Sequence, residues 1–337
     1  MNSLPLLSIC IPTYNRAGFL RECLSSINPE ELYDKVEVVV SDNASTDDTL
    51  AVLKAFQSTH PLRYIVQSEN LGPDRNFDAV VAEARGEYCW LLGSDDVVQP
   101  GGVRSLVAAL TSCHTDIVQF GYVQGDLHLR PQYRAAPPAG PVQTSPHGFA
   151  SHLAAQPNMS LLFTFISAYA FRRSVWMDRQ HLIRSWVGSY YIQMFAMHSA
   201  LASGATTLAA LDECLVIARG GNPNDFNTVP GRFMALDART MSRLIREVHG
   251  DQADFWLAIS QPFRRSYPAK SLFHVAANGG LGYINEARET LLRFGYSKAL
   301  LRGLELLHRL KLLGAIKVLL DSRRRILNIF NSIGSLT

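Results

Sequence analysis

The stretch YCWLLGSDDVV, residues 88–98, ends an apolar run on two adjacent aspartates, Asp95 and Asp96. Apolar residues resume at once, so the pattern predicts a buried strand that ends on an acidic pair. Two neighbouring carboxylates repel each other unless water solvates them or a cation neutralises them. The pair alone is consistent with a solvated turn and with a metal and phosphate site, and the rest of the chain has to decide between them.

Short β-rich runs alternate with helical patterns on both sides of this stretch. The predicted strands are LLSICI (6–11), VEVVVSDN (36–43), RYIVQ (63–67), YCWLLGSDD (88–96) and DIVQFGYV (116–123). The helical patterns between them are FLRECLSSI (19–27), STDDTLAVLKAFQS (45–58), DRNFDAVVAEA (74–84) and GGVRSLVAAL (101–110). Strand–helix alternation with short links predicts an α/β fold, in which helices flank a mostly parallel sheet.

Polar residues follow three of these strands at the point where each strand ends. They are Thr13, Tyr14 and Asn15 after the first strand, Asp42 and Asn43 after the second, and Asp95 and Asp96 after the fourth. Parallel strands present their carboxyl ends at one rim, where ligands of such sheets bind. Turn-forming tendency would place polar residues at both rims, so the asymmetry favours a functional site.

The second half of the chain has a different organisation. Residues 124–147, rich in Pro, Gln and Ala, predict a long irregular loop. Residues 148–220 return to mixed patterns, with strands predicted in FISAYAF (165–171) and TTLAALDECLVIAR (206–219) and a helix in SYYIQMFAMHSALASG (189–204). From about residue 231 the pattern is helical, with breaks at Gly250, Pro268, Gly279–Gly280 and Gly295.

Composition excludes several classes of protein. The chain of 337 residues is 47% hydrophobic and 18% charged, which is typical of a globular protein. A formal charge of +3 is too small to argue for a nucleic-acid partner. The five cysteines form no CxxC or Cys/His pattern and predict reduced core residues. Because no signal peptide and no apolar run of about 18 residues is found, we expect a cytosolic protein.

The turn after the first strand discriminates between ligand classes. A dinucleotide-binding domain needs a glycine-rich turn there, and a P-loop needs its own glycine-rich motif. The turn is instead Pro12-Thr13-Tyr14-Asn15-Arg16, with neither motif. A phosphate at this rim would therefore be held through a divalent ion on the two carboxylates. Mg²⁺ and Mn²⁺ favour such carboxylate and diphosphate oxygens.

Four segments in order resemble the family 2 glycosyltransferases of the GT-A fold. They are ICIPTYNR (9–16), VVVSDNASTDDT (38–49), SENLGPDRNFDAVVAEARGEY (68–88) and CWLLGSDD (89–96). The likeness is strong over residues 6–122 and weaker over 160–220. Within the family, the text is most similar to bacterial O-antigen transferases of the abequosyltransferase type, which also carry a later segment matched by VGSYY (187–191).

The resemblance implies roles for individual residues. Thr13 and Tyr14 would line the base and ribose, Asp42 would accept a hydrogen bond from the base, and Asp96 would be the principal metal ligand. Asp95 would hold the ribose or assist the metal, and Arg75 would pair with phosphate oxygens. For Asp42 an Asx turn, and for Arg75 an exposed helix face, are the alternatives. The remaining residues assigned to the nucleotide-sugar site are Pro12, Asn15, Arg16, Asn43, Asn70, Gly72, Asn76 and Ser94. Ser94 stands where many relatives have an acid.

The general base is missing from its expected place. Many inverting relatives carry a Glu-Asp pair at the start of a helix, where this chain has Tyr190 and Tyr191. Tyrosine with an ordinary pKa is a poor base at neutral pH. Weak candidates are Asp178, Asp212, Glu213 and Asp225, and His198 fits a packed core residue better. Tyr190, Tyr191 and Gln193 are candidates for contacting the acceptor, with core packing as the alternative.

The C-terminal region concentrates positive charge. Between about residues 300 and 330 there are seven Lys and Arg against two acidic residues, an excess of five. Leu304, Leu307, Leu310, Leu313 and Leu320 can share one face. A basic amphipathic helix suits an anionic membrane surface, and a helix packed on its own domain fits equally well.

The sequence therefore predicts a metal-dependent glycosyltransferase. Residues 1–220 would form the GT-A domain, with a nucleotide-sugar half (6–122) and an acceptor half (148–220), and residues 221–337 a helical extension. The resemblance implies a nucleoside diphosphate sugar donor, Mg²⁺ or Mn²⁺, inversion, and a glycan or polyprenyl-diphosphate-linked acceptor. Peripheral contact with the cytoplasmic face of the inner membrane would follow. The alternatives are a nucleotidyltransferase of related fold and a catalytically silent nucleotide-sugar-binding scaffold.

Overall fold

The computed structural model describes most of the chain, in four ranges: residues 4–31, 35–58, 61–222 and 229–318. Ten strands in these ranges form one sheet. They are β1 (Leu7–Thr13), β2 (Val36–Asp42), β3 (Leu62–Val66), β4 (Tyr88–Leu91), β5 (Val97–Val98), β6 (Ile117–Gly125), β7 (Pro131–Ala135), β8 (Gly140–Val142), β9 (Tyr169–Arg172) and β10 (Leu208–Ala218).

Helices cover the sheet and form the C-terminal region. They are α1 (Ala17–Ser26), α2 (Thr49–Gln57), α3 (Pro73–Glu83), α4 (Gly102–Cys113), α5 (Pro146–Ala155), α6 (Arg173–Met177), α7 (Gln180–Ile183), α8 (Ile192–Ala202), α9 (Arg232–Glu247), α10 (Ala253–Ser266), α11 (Ala269–Ala277), α12 (Leu281–Glu286), α13 (Arg288–Arg293) and α14 (Lys298–Arg309). Four of the five breaks between α9 and α14 contain the predicted glycines or proline, and the break between α12 and α13 at Ala287 was not predicted. Within the described ranges, no helix combines the length and the apolar character needed to cross a membrane.

The sheet is parallel in its N-terminal part and mixed as a whole. Its order is β3-β2-β1-β4-β9-β6-β10-β5, with β7 paired to β6 and β8 to β10. The first four strands in this order are parallel neighbours, as the strand–helix alternation predicts. Strand β9 runs antiparallel between β4 and β6. Strand β10 lies parallel to β6 and antiparallel to the short β5 that directly follows Asp96.

The two faces of the sheet bury separate hydrophobic cores, because alternate residues of a strand point to opposite faces. Trp90 lies in the core beneath α1 and α4, whereas its neighbours Cys89 and Leu91 lie in the other core. The second core also contains buried residues of α5 and of α8 to α14. The described part of the C-terminal region is therefore continuous with one face of the sheet, and the division at residue 220 stays a prediction.

The prediction for residues 124–147 was wrong. Strand β6 continues to Gly125, β7 and β8 follow, and α5 begins at Pro146. Both short strands lie off the main path of the sheet. Proline is tolerated at strand starts and edges, since its missing N–H removes no central hydrogen bond. Pro131 opens β7, so the proline-rich composition was misleading there.

Buried polar side chains stabilise the C-terminal core. His198 on α8 and His249 after α9 share a 2.9 Å hydrogen bond between Nδ1 and Nε2. Burial lowers the pKa of His198 to about 3 and the pKa of His249 to about 2, so both rings are neutral near pH 7. His198 is a packed core histidine, as its apolar helix predicted.

Candidate active site

Strands β1, β2 and β4 end at the same rim, and their polar residues lie there together. Thr13 is directly opposite Asp42 in the parallel pairing of β1 with β2. The Thr13 carbonyl accepts hydrogen bonds from the Asn43 backbone N–H (3.0 Å) and from Asn76 Nδ2 (3.3 Å). Thr13 Oγ1 is buried and has no hydrogen-bond partner in the described part of the chain. An unpartnered buried hydroxyl at this rim is suited to contact a ligand.

Asp96 is held from two sides beneath the rim. Its Oδ2 accepts a 2.6 Å hydrogen bond from the Ser167 hydroxyl, and its Oδ1 accepts a 3.1 Å bond from the Arg219 backbone N–H. The carboxylate folds back over Gly93, where a Cβ would lie 2.7 Å from Asp96 Oδ2. Only glycine fits at residue 93 without displacing the acid.

The electrostatics of Asp96 favour a cation beside it. Burial, and after it the neighbouring charge of Asp95, raises its pKa from 3.8 to about 8. The hydrogen bonds from Ser167 and Arg219 and the charge of Arg16 oppose the rise. No group of three or more potential metal-binding side chains occurs in the described ranges. Mg²⁺ and Mn²⁺ are commonly bound through one or two carboxylates plus substrate phosphates, so the acidic pair fits such an ion.

Asp95 has a different environment, closer to solvent. Its Oδ2 forms a 2.8 Å ion pair with Arg16 and accepts a 3.1 Å hydrogen bond from Asn222 Nδ2. Arg16 follows β1, and Asn222 follows β10. The structure thus brings three predicted site residues together, Arg16, Asp95 and Asp96. Ser94 is buried beside them.

Asp42 is buried and begins a turn. Its Oδ1 accepts a 3.0 Å hydrogen bond from the Ser45 backbone N–H, which is the turn geometry given above as an alternative to base binding. Asn15 has a φ of +50° and bridges to the same loop, since its backbone N–H donates to Ser45 Oγ and its Oδ1 accepts from the Thr46 N–H. The role of Asp42 toward a base stays a prediction.

The segment 70–76 is attached to the rim by uncharged amides. Asn43 Nδ2 donates to Asn70 Oδ1 (2.8 Å), and Asn43 Oδ1 accepts from the Leu71 N–H (2.9 Å). Asn76 is buried and donates to backbone carbonyls of β1 and β2. Gly72 has a φ of +80°, a conformation that favours glycine. These amides therefore shape the rim.

Three further predicted nucleotide-site residues differ in exposure. Tyr14 and Arg75 are exposed, whereas Pro12 is buried within β1. In the described part of the chain the Arg75 side chain forms no ion pair or hydrogen bond, in contrast to Arg16. An exposed arginine at the start of α3 is consistent with both of its predicted alternatives.

Asp74 connects this rim to the segment that precedes α8. Its Oδ2 accepts hydrogen bonds from the backbone N–H groups of Gly188 (2.7 Å) and Tyr190 (3.0 Å). Its Oδ1 is buried without a partner among the described residues, and burial raises its pKa. The VGSYY segment is thereby fixed next to the start of α3.

The three predicted acceptor residues have separate surroundings. Tyr190, with a φ of +65°, lines a cleft of about 210 Å³ together with Arg232, Arg239 and Tyr283. Tyr191 is buried, and its hydroxyl donates a 2.5 Å hydrogen bond to Asp237. Gln193 is also buried, and its Nε2 donates to the Thr164 carbonyl. The burial of Tyr191 and Gln193 supports the core-packing alternative, and contact of either residue with an acceptor stays a prediction.

The structure does not bring Asp178, Asp212 or Glu213, the three weak base candidates among the described residues, to the acidic pair. Asp178 is exposed at the end of α6. Asp212 and Glu213 are exposed near the middle of β10, about six residues and about 20 Å before Arg219 along the strand. Glu213 instead accepts a hydrogen bond from Ser105 of α4. Asp225 lies outside the described residues.

Sequence reasoning missed Arg219, Ser167 and Asp74. Arg219 directly follows a strand whose end lies at the site, so the strand-end argument could have identified it. Ser167 lies in a short 3-10 helix before β9, and no local pattern distinguishes it. The only sequence signal for Asp74 was its place as an acid in the first turn of α3, which does not distinguish it from an ordinary helix-start residue.

Comparison with known families gives a match over half the chain. Residues 8–178 match the family described as Glycosyl transferase family 2. The abequosyltransferase RfbV of Salmonella typhimurium is 31% identical over 252 residues, which cover 69% of this chain and 72% of that protein. A Campylobacter jejuni enzyme, GalNAc(5)-diNAcBac-PP-undecaprenol beta-1,3-glucosyltransferase, is 32% identical over 106 residues, covering 31% of this chain and 34% of its own.

Solved structures with the same fold cover nearly the whole chain. Staphylococcus aureus TarS 1–349, in complex with UDP-GlcNAc, has a TM-score of 0.58 at 15% identity, over 90% of this chain and 92% of that one. The mannosyltransferase PcManGT of Pyrobaculum calidifontis, in complex with GDP-Man and Mn²⁺, has a TM-score of 0.53 at 19% identity, over 93% and 88%. At these identities the likeness concerns the fold, and the predicted GT-A fold is confirmed.

Proposed function

This chain belongs to glycosyltransferase family 2, and on that premise we propose that it moves a sugar from a nucleoside diphosphate sugar to a hydroxyl of a lipid-linked glycan acceptor. The product would be an intermediate of O-antigen or another surface polysaccharide. The abequosyltransferase relative supports a role in polysaccharide synthesis, and the undecaprenol in the Campylobacter enzyme's name supports a lipid-linked acceptor.

A single observation carries the proposal. The buried Asp96 and the partly exposed Asp95 lie at the rim where β1 and β2 also end, beside the Thr13–Asp42 pair. A donor with its base near Asp42 and its ribose near Thr13 would direct its diphosphate toward the acidic pair. The exposed Arg75 at the start of α3 would pair with phosphate oxygens.

Each acid has a separate task in this proposal. Asp96 would hold the divalent ion, since the burial that raises its pKa makes a neighbouring cation favourable. Asp95 would hold the ribose or assist in binding the metal, because Arg16 and Asn222 orient its Oδ2. When bound, Mg²⁺ or Mn²⁺ would neutralise the charge that develops on the departing diphosphate.

We propose inversion at the anomeric carbon, as the family resemblance implies. The acceptor oxygen forms its bond to that carbon while the bond to the diphosphate breaks, the bonding electrons leave with the nucleoside diphosphate, and the hydroxyl proton passes to water. Tyr190 belongs to the segment that Asp74 fixes, and its side chain lines the cleft described above. We therefore expect Tyr190 to contact the acceptor. The anomeric configuration of the product, read by NMR coupling constants, tests this statement.

The first experiment is a donor screen. The protein is incubated with UDP-, CDP-, GDP- and dTDP-sugars and Mn²⁺, and thermal-shift measurements with the matching diphosphates identify the base. We expect metal-dependent release of one nucleoside diphosphate, abolished by EDTA and restored by Mn²⁺ or Mg²⁺. Pyrophosphate release from a nucleoside triphosphate would contradict the proposal in favour of nucleotidyl transfer. Binding without any turnover would favour the silent scaffold.

A further inference from the structure

Arg219 is an arginine with almost no exposed surface, since its side chain is 2% exposed. Its Nε donates to the Asp95 carbonyl (2.9 Å), its Nη1 donates to the Leu127 carbonyl (2.6 Å), and its Nη2 pairs with Glu22 Oε2 (2.7 Å). The guanidinium also lies 4.8 Å from the ring centroid of Phe19. A buried arginine is stable only when its donors are paired, and here three nitrogens are.

These contacts join three distant parts of the chain at the acidic pair. Glu22 and Phe19 belong to α1, Leu127 belongs to the turn after β6, and Asp95 follows β4. The antiparallel pairing of Val216 and Ile217 with Val98 and Val97 fixes the end of β10 beside this point. The backbone of the acidic pair is therefore anchored by an arginine that directly follows β10.

The same residue acts on both acids through different atoms. Its backbone N–H donates to Asp96 Oδ1, and its side chain holds the Asp95 carbonyl. The first bond survives any substitution other than proline, whereas the second needs the side chain. The planar guanidinium reaches two carbonyls and a carboxylate at once, which a lysine ammonium on a flexible stem does poorly.

We propose that Arg219 is a positioning residue that fixes the Asp95–Asp96 peptide in the orientation required to bind a divalent ion with the donor diphosphate. This inference rests on the proposed function. It predicts that the side chain of Arg219 controls metal affinity more than stability. Changes to groups that orient metal ligands typically cost about 10- to 100-fold in metal affinity or activity.

The test compares Arg219→Lys and Arg219→Met with a matched control, Arg173→Met. Arg173 also donates to two backbone carbonyls, those of Val81 and Ala82, but at the end of α3 distant from the acidic pair. Mn²⁺ is titrated in the presence of UDP, CDP, GDP or dTDP, whichever the wild-type protein binds. The readouts are the electron paramagnetic resonance signal of free Mn²⁺ and the thermal midpoint.

We expect both Arg219 variants to raise the half-saturating Mn²⁺ concentration by about tenfold or more. Nucleotide affinity without metal should change less than about threefold, and Arg173→Met should lower only the thermal midpoint. If the Arg219 variants do not fold, Glu22→Gln replaces them. The Glu22 side chain is 53% exposed, and its loss should raise the same concentration about two- to fivefold.

Two results would overturn the inference. An unchanged Mn²⁺ requirement in the Arg219 variants, with only the thermal midpoint lowered, would assign a purely structural role. If Glu22→Gln has to stand in, its unchanged Mn²⁺ requirement would have the same meaning. If the wild-type protein itself shows no Mn²⁺-dependent binding, the metal site of the proposed function is wrong, and this inference is rejected with it.

Discussion

The two acids of the pair are adjacent in sequence but have unlike surroundings. Asp96 faces inward to Ser167 and the Arg219 backbone, whereas Asp95 faces Arg16 and Asn222. A doublet of acids at a strand end is a modest signal by itself. The structure explains the doublet, because one carboxylate is desolvated and the other is compensated by a cationic side chain.

Asp96→Asn is expected to abolish transfer while the fold is retained. The amide has nearly the same shape but lacks the charge that would bind the metal. We expect kcat/KM to fall about 100-fold or more, equivalent to about 3 kcal/mol of transition-state stabilisation. The thermal midpoint should change by less than about 4 °C. Asp254→Asn, an exposed position on α10, is the control, and retained turnover in Asp96→Asn would refute the metal assignment.

At the scale of elements, Asp237 connects the start of α8 to α9 and to the residue that follows α10. Its two oxygens accept hydrogen bonds from the hydroxyls of Tyr191 (2.5 Å) and Tyr267 (2.6 Å). Burial raises its pKa from 3.8 to about 6 in the folded protein, although both tyrosine hydroxyls lower it. The native state therefore binds this proton more tightly than the unfolded chain does.

The sign of the resulting pH dependence follows directly. The contribution of Asp237 to stability is fully present below about pH 4 and is lost as the pH rises through about 6. Relative to Asp237→Asn, the unfolding free energy of the wild type should fall by about 2 kcal/mol between pH 4 and pH 7. Urea denaturation at several pH values measures the difference. Parallel curves for the two proteins would contradict the assignment, and Asp254→Asn should follow the wild type.

Helix α14 shows how the C-terminal amphipathic pattern is divided. Leu304 of α14 and Leu313 beyond its end are buried in the core, which supports the packed-helix interpretation at those two positions. Leu310, predicted on the same face, is exposed, so that part of the predicted face was wrong. Leu306 and Leu310 are each 56% exposed. Four residues of the predicted basic amphipathic pattern lie outside the described residues: Leu320, Arg323, Arg324 and Arg325. Peripheral membrane contact through α14 stays a proposal.

A double variant, Leu306→Gln with Leu310→Gln, tests that proposal. Each leucine would lose about 1 kcal/mol of apolar transfer, about 2 kcal/mol for the pair, so vesicle binding should fall about 30-fold. Sedimentation with vesicles of phosphatidylcholine and phosphatidylglycerol measures the change. Leu257→Gln on α10, where the leucine is 64% exposed, is the matched control and should bind like the wild type. Equal sedimentation of all three proteins would exclude contact through α14.

At the scale of the whole molecule, the C-terminal helices and the sheet share one core. Phe171 of β9, Ala196 of α8 and Met241 of α9 belong to the same buried cluster. A fragment of residues 1–220 would expose that face of the sheet. We expect the fragment to lack a cooperative urea transition by circular dichroism, in contrast to the full chain. A cooperative transition with metal-dependent nucleotide binding would instead show that residue 220 ends an independent domain.

The sequence predicted the parallel half of the fold well because periodicity and strand-end polarity are local signals. β1, β2 and β4, together with α1, α3 and α4, lie where the pattern placed them. The antiparallel insertion of β9 and the pairing of β5 with β10 depend on contacts between residues more than 70 apart, which periodicity does not encode. Asp95 and Asp96 were foreseeable because they follow a strand pattern directly, whereas the Ser167 contact to Asp96 joins residues 71 apart and was not.

The amides that attach segment 70–76 to the rim have a consequence for solution conditions. The side chains of Asn43, Asn70 and Asn76 carry no charge and attract no counterions. Ionic strength should therefore have little effect on the hydrogen bonds that these amides form. Electrolyte would instead weaken the Arg16–Asp95 contact. Buffers of high and low salt should therefore leave the scaffold of this rim alike while altering how strongly a charged donor is attracted to it.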